Sequence, residues 1–194
     1  MEVRVTLTGR TAVLMHHPRL SDPLDPVARA MNEISRKRKK TDSDLAELAR
    51  LEYFGGSYYD EDIGPYVPSS WVLKAMNNAG KVSKEGLRVL RGVALLDEAL
   101  PLLFDGPRTL DALYTDPNFV SRMPVRIGAQ RVWRVRPRFG SWQIRFAAEV
   151  ADDILNVEDF VTILERAGRS EGLGDARSLG YGRFTAEVHS NGRT

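Results

Sequence analysis

Between residues 125 and 150 apolar and polar side chains alternate with a period of two, and this limits what the chain can fold into more than any other feature. Val125, Ile127, Ala129, Trp133 and Val135 share one parity, while Arg126, Gln130, Arg134, Arg136 and Arg138 share the other. After Phe139-Gly140 the same test sets Trp142, Ile144, Phe146, Ala148 and Val150 against Gln143, Arg145 and Glu149. Successive side chains of a strand point to opposite faces, so each run predicts a strand with one face in a core. A two-residue turn between them would make a hairpin. Its greasy face would set Val135 beside Ile144 and Trp133 beside Phe146, and its basic face Arg136 beside Gln143 and Arg134 beside Arg145.

The remaining elements follow from the same kind of reading. Val3, Val5 and Leu7 alternate with polar residues, and Val13 and Met15 resume the pattern after Gly9, giving a first strand. Asp25-Pro26 reads as N-cap and first position of a helix with Val27, Met31 and Ile34 on one face. That helix runs into Arg36-Lys37-Arg38-Lys39-Lys40. A second helix starts between Thr41 and Asp44, turns Leu45, Leu48 and Leu51 inward, and ends at Gly55-Gly56. Pro65 and Pro68 bracket an extended piece, after which Ser69 or Ser70 caps a helix burying Trp71, Val72, Ala75, Met76 and Ala79, with Lys74 beside that face. Residues 87–104 read as strands or a helical segment, and residues 105–124 as a loop-rich insertion. Asn156 caps a last helix with Glu158 and Asp159 in its first turn and Phe160, Leu164 and Ala167 inward, and a final strand covers residues 183–189. Strand, helix, hairpin, helix, strand is an α+β succession, with no internal repeat.

Composition narrows the function. At 194 residues the chain is long enough for one domain carrying large insertions. Its 28 Lys and Arg against 26 Asp and Glu leave a net charge of +2, so the placement of charge rather than its total carries any argument about partners. With no cysteine, disulfides and thiolate-based metal, redox or nucleophile chemistry are excluded. No apolar run approaches the roughly 18 residues of a membrane span and no secretory leader is evident, which predicts a soluble, cytoplasmic protein without a membrane partner.

Three constellations could carry chemistry. Residues 172–184, Gly-Leu-Gly-Asp-Ala-Arg-Ser-Leu-Gly-Tyr-Gly-Arg-Phe, lie between the last helix and the last strand; their glycines serve either a helix-to-strand connector or an amide-rich cradle for an anion, made more positive by Arg177 and Arg183. In the expected hairpin, Arg134 facing Arg145 beside Arg136 and Arg138 would be relieved by a polyanion, and a single-stranded nucleic acid would also offer bases to Tyr181; the alternative is arginines splayed into water or paired with acids. The basic run Arg36, Lys37, Arg38, Lys39 and Lys40 is a solvated helix end or a segment that orders on phosphates, partly neutralised by Asp42, Asp44 and Glu47. His16-His17 invites a general-base reading, but adjacent strand residues face opposite ways, so a capping or surface role is the default. Asp22, Asp25 and Asp60-Glu61-Asp62 suit turns better than magnesium. No metal, cofactor or catalytic residue is assigned.

Residues 172–184 resemble the glycine-rich loop of the RAMP superfamily, the repeat-associated proteins of CRISPR effector complexes, which also precedes the final strand. Tyr66-Val67-Pro68-Ser69-Ser70-Trp71-Val72-Leu73-Lys74 is similar to the superfamily's Pro-Gly-Ser-Ser-Leu-Lys type segment at the start of the first core helix, with Ser69 at the glycine position and Trp71-Val72 inserted. The resemblance implies a ferredoxin-like, RNA-recognition-type core with antiparallel sheet, elaborated at about residues 17–65 and 97–138. It implies a subunit that grips a guide RNA or other single strand and assembles side by side along it, with copies of itself or other effector subunits. RNA is favoured and DNA stays open. Carried over residue by residue, it nominates Lys74, Gly174, Arg177, Ser178, Gly180 and Gly182. Other members cleave RNA with a histidine near the first helix or an aspartate in the early loop, and His17 and Asp22 lie in loosely corresponding stretches. The rival readings are a metal-independent endoribonuclease using His16 or His17 and an interaction subunit binding an acidic protein surface.

Overall fold

The computed structural model describes residues 1–128 and 130–190, so Ala129, which the alternation above included, lies outside the described residues. In chain order the strands are β1 (Glu2–Gly9), β2 (Val13–Leu14), β3 (Tyr59–Asp60), β4 (Gly64–Pro68), β5 (Val93–Leu95), β6 (Ala99–Pro101), β7 (Val120–Ile127), β8 (Gln130–Phe139), β9 (Gln143–Val150) and β10 (Phe184–Ser190). The helices are α1 (Pro26–Arg36), α2 (Asp42–Gly56), α3 (Ser69–Lys81), α4 (Gly86–Gly92), α5 (Leu110–Thr115) and α6 (Val157–Arg166). The protein is α+β, and its paired strands run antiparallel. It divides into two compact units, one built from Met1–Val13, Asp60–Asp105 and the chain from Gly140 onward, the other from Leu14–Tyr59 and Gly106–Phe139.

The first unit holds a four-stranded sheet in the order β10-β1-β9-β5. With α3 between β1 and β5, and α6 between β9 and β10, it follows the β-α-β-β-α-β succession of ferredoxin-like domains. Val3, Val5 and Leu7 of β1 and Ile144, Phe146, Ala148 and Val150 of β9 are buried as the alternation predicts, paired Val5 with Phe146 and Leu7 with Ile144. Val72, Ala75, Met76 and Ala79 of α3 and Phe160, Ile163 and Leu164 of α6 supply the helical side of the core. Asn156 caps α6 by accepting the Asp159 amide. Neither Ser69 nor Ser70 caps α3. Pro68 is its N-cap without a side-chain bond, and the Ser69 amide donates instead to the Glu98 carbonyl, 2.9 Å away.

The second unit corrects the expected hairpin. Gly128 sits at φ +60°, and the run read as one strand over residues 125–138 folds back there into β7 and β8, which pair with each other. β9 pairs with β1 and β5, so Arg145 faces Thr6 while Arg134 faces Met123. Alternation sets which side chains share a face along one strand; it carries no information about the neighbouring strand. The fold-back also exchanges parity: Arg122 lies opposite Val135 and Pro124 opposite Trp133, so odd-numbered residues of β8 share a face with even-numbered residues of β7. The segment between residues 105 and 124 contains α5, a 3-10 turn at Pro117–Phe119 and the start of β7 rather than loop alone.

Two further expectations shift in register. The strand pattern does not run through to Met15, because β1 ends at Gly9 and β2 joins the sheet β2-β8-β7, with Val13, Leu14 and Met15 all buried. In α2 the buried set is Ala49, Glu52, Tyr53, Gly55 and Gly56, whereas Leu45 is 51% exposed. Glu52 accounts for this rotation. Its carboxylate takes the Arg134 guanidinium at 2.9 Å and the Val135 amide at 2.9 Å, so the face of α2 carrying an acid, not the one richest in leucine, packs on β8. Asp25 caps α1 as expected, and Thr41 with Asp44 forms a capping box at the start of α2.

Candidate nucleic-acid interface

After α6 the chain makes one π-type turn, Ala167–Glu171, before entering the glycine-rich segment. Gly172, Gly174, Gly180 and Gly182 have φ of 72°, 79°, 88° and 72°, and Ala176 is left-handed at 54°. These glycines do two jobs. Gly172 and Gly182 knot the segment: the Leu173 amide donates to Gly182 O at 2.9 Å, the Gly182 amide donates to Ala12 O at 2.8 Å, and a Cβ on Gly182 would lie 1.9 Å from Leu173 O. Gly180 faces open space, where a Cβ would meet nothing within 4 Å. Between Gly174 and Gly180 a 3-10 turn, Arg177–Leu179, leaves Ser178 and Leu179 exposed and Arg177 half-exposed.

The segment is strapped to the turn after β1. Thr11 Oγ1 donates to Gly180 O at 2.8 Å and accepts the Arg183 amide at 2.9 Å, while the Arg10 amide donates to Arg183 O. Arg183 Nη1 is buried without a hydrogen-bond partner among the described residues, and Tyr181 is half-buried. Helix α3 packs on the π turn, and Asn78 Nδ2 reaches Glu171 Oε2 at 3.4 Å immediately before Gly172. Lys74 lies one turn earlier on the same face of α3, with its side chain exposed.

Arg145, in the same unit, projects from the polar face of β9 and donates through Nε to Gln143 Oε1 at 3.1 Å. It borders a shallow depression of about 420 Å³ whose lining includes Arg4, Thr6, Ala147 and His189.

The other nominated cations belong to the second unit. Lys37 Nζ binds Asp44 Oδ1 at 2.5 Å, a contact that heads the causes holding the Asp44 carboxyl down to about 2. Lys40 Nζ donates to the Ser35 and Lys37 carbonyls at the end of α1, while Arg36, Arg38 and Lys39 extend into solvent. On β8, Arg134 is held by Glu52, Arg136 is only 8% exposed, and Arg138 Nη1 donates to Asn118 O at 3.1 Å. The expected Arg134–Arg145 facing pair does not form, for the pairing reason given above. Sequence reasoning did not nominate three exposed cations of this hairpin, Arg122, Arg126 and Arg131. Their signal was available, since no Asp or Glu occurs between Asp116 and Glu149.

His17 Nδ1 accepts the Arg19 amide at 3.1 Å and caps a short 3-10 turn, with its ring 4.4 Å from that of Tyr58. Burial, reinforced by the Arg19 charge, lowers its pKa from the usual histidine value. Asp22, Asp25 and Asp60 accept backbone amides in turns and caps. Among the described residues no group of three or more His, Asp or Glu could hold a metal, and no helix is long and apolar enough to cross a membrane.

No family model matches the chain, and no curated protein matches it. Solved structures do. One is a chain of the Type III-B Cmr-beta complex bound to cognate target RNA, at 14% identity and a TM-score of 0.52, covering 96% of this chain and 60% of that one. Another is a chain of a Type IV-B CRISPR complex, at 11% identity and 0.51, covering 100% and 92%. Cmr6 from Pyrococcus furiosus is also similar, at 9% identity and 0.45, covering 96% and 98%. The chain spans 60% of the length of the Cmr-beta neighbour. The chain therefore shares its fold with a chain of the Type III-B Cmr-beta complex and a chain of the Type IV-B CRISPR complex.

Proposed function

We propose that this protein is a nucleic-acid-binding subunit of a CRISPR-type ribonucleoprotein complex, gripping the sugar-phosphate backbone of a single strand, RNA in preference to DNA. What supports the reading is that α3, which carries the exposed Lys74, packs on the π turn leading into the glycine-rich segment, where Arg177 and Ser178 lie between Gly174 and Gly180. Backbone turned through positive φ lets a phosphate approach main chain that a Cβ would shield, and two cations beside it supply the charge. That one fold neighbour is solved bound to target RNA adds to the same reading. The exposed residues Arg36, Arg38 and Lys39 would add phosphate contacts, and side-by-side assembly along the strand follows if each subunit covers a fixed stretch of it.

The test is affinity for a labelled single-stranded RNA across a salt series. Each phosphate contact steepens the log-log slope by about 0.7 for a single strand. Lys74→Ala with Arg177→Ala should weaken binding and flatten the slope by about 1.4, with the thermal melt unchanged because both side chains reach solvent. A wild-type protein whose affinity ignores salt overturns the reading in favour of a protein partner. RNA cleavage that persists in chelator and vanishes in His17→Ala overturns it in favour of an endoribonuclease.

A further inference from the structure

Hairpin β7–β8 carries a second surface that the grip on phosphates does not use. In its register Arg122 faces Val135, Pro124 faces Trp133 and Arg126 faces Arg131. These six therefore share one broad face, while Ser121, Met123 and Val125 with Val132, Arg134 and Arg136 share the other. On the first face Val135 is buried at the base, but Arg122, Pro124, Arg126 and Arg131 are exposed, and so is Trp133, at 68%. An indole left in water on a strand that otherwise packs well is an unspent contact surface. The platform beneath it is fixed, because the Glu52 carboxylate holds Arg134 and the Val135 amide on either side of the next peptide.

The chemistry around the indole selects the occupant. Three exposed arginines surround one exposed aromatic ring, and the segment from Pro117 to Ala148 contains no carboxylate to neutralise them. The Arg126 guanidinium is steadied at the hairpin tip by Nε donating to Gly128 O at 3.1 Å. A flat π-face inside a ring of cations fits an unpaired base with its flanking phosphates; an acidic peptide would satisfy the arginines and leave the indole wet. We propose that this face of the hairpin is a stacking platform, in which Trp133 takes the face of an unpaired base and Arg122, Arg126 and Arg131 take the phosphates on either side. The inference rests on the nucleic-acid reading for the class of ligand, but on residues separate from Lys74 and the glycine-rich segment.

The experiment titrates the full chain with three probes: a twelve-nucleotide oligoadenylate, an abasic strand of equal length, and oligoglutamate. Oligoadenylate should quench and shift tryptophan fluorescence, and Trp133→Phe should remove that signal, since Trp142 is buried and Trp71 half-buried. Trp133→Ala should weaken oligoadenylate binding roughly tenfold or more at an unchanged salt slope, whereas Trp133→Phe keeps most of the affinity. The abasic strand should bind wild type and Trp133→Ala equally. Substituting Arg122, Arg126 and Arg131 together by alanine should flatten the slope by about 2. Oligoadenylate binding by Trp133→Ala as tight as wild type overturns the platform while the proposed function stands. No binding of any strand by wild type overturns both. Equal quenching by oligoglutamate overturns the platform in favour of an acidic protein partner.

Discussion

Gly180 and Gly182, two positions apart, carry the same backbone sign for different reasons. Both have positive φ, where an L-residue pays roughly 1–2 kcal/mol. At Gly180 that is the whole cost, since a Cβ there meets open space; at Gly182 it would also be driven into the Leu173 carbonyl, which is backbone and cannot swing away. Gly180→Ala should lower unfolding free energy by about 1–2 kcal/mol, and Gly182→Ala by more than about 3 kcal/mol as the knot opens. Urea unfolding of the two variants checks this, and equal losses would mean that Gly182 has room the geometry denies. The need for glycine was legible in the sequence, but the division of labour was not, because it depends on Ala12 and Leu173 meeting around Gly182 from opposite ends of the chain.

At the scale of elements, two tryptophans with the same sequence signature end in opposite environments. Trp133 and Trp142 both occupy the apolar parity of an alternating run, and both were expected inward. Trp142 is 3% exposed, its indole N–H donates to Thr11 O at 2.9 Å, and its ring fills the space a Cβ on Gly9 would need. Trp133 stands in water because the fold-back at Gly128 sets it near the tip of the hairpin β7–β8, on the face opposite Arg134. Trp142→Ala should cost about 3–5 kcal/mol in urea unfolding, and Trp133→Ala less than about 0.5 kcal/mol. A large loss at Trp133 would mean the indole is packed and not available to a ligand. Helix α2 teaches the same lesson. Leucine spacing suggested one face, and a single buried acid with two partners on β8 turned another toward the core, since an unpaired buried carboxylate costs more than a few half-exposed leucines recover.

For the molecule as a whole, a net charge of +2 hides an uneven distribution along the chain, with none of the 26 acids falling between Asp116 and Glu149, the stretch that carries the arginines of β7 and β8. Placement rather than total governs association, so affinity for a single strand should fall steeply with salt despite the near-balanced composition. If subunits line up along one strand, analytical ultracentrifugation with oligonucleotides of doubling length should show the number of bound chains doubling in step. One bound chain at every length would rule out side-by-side assembly and leave the single-subunit grip intact.

What the sequence determined alone was the inventory of faces: the buried sides of β1, β9, α3 and α6, the caps Asp25, Thr41 and Asn156, and the segment that needed glycine. Those are consequences of backbone pitch and of steric rules that act within a few residues. Tertiary structure alone decided which strand lies beside which, that Arg134 answers to Glu52 and not to Arg145, and that Trp133 faces solvent. The first two depend on partners distant in sequence, 82 positions away for Glu52 and Arg134, and the third on a fold-back at Gly128 that reverses the strand; a local period holds no record of either.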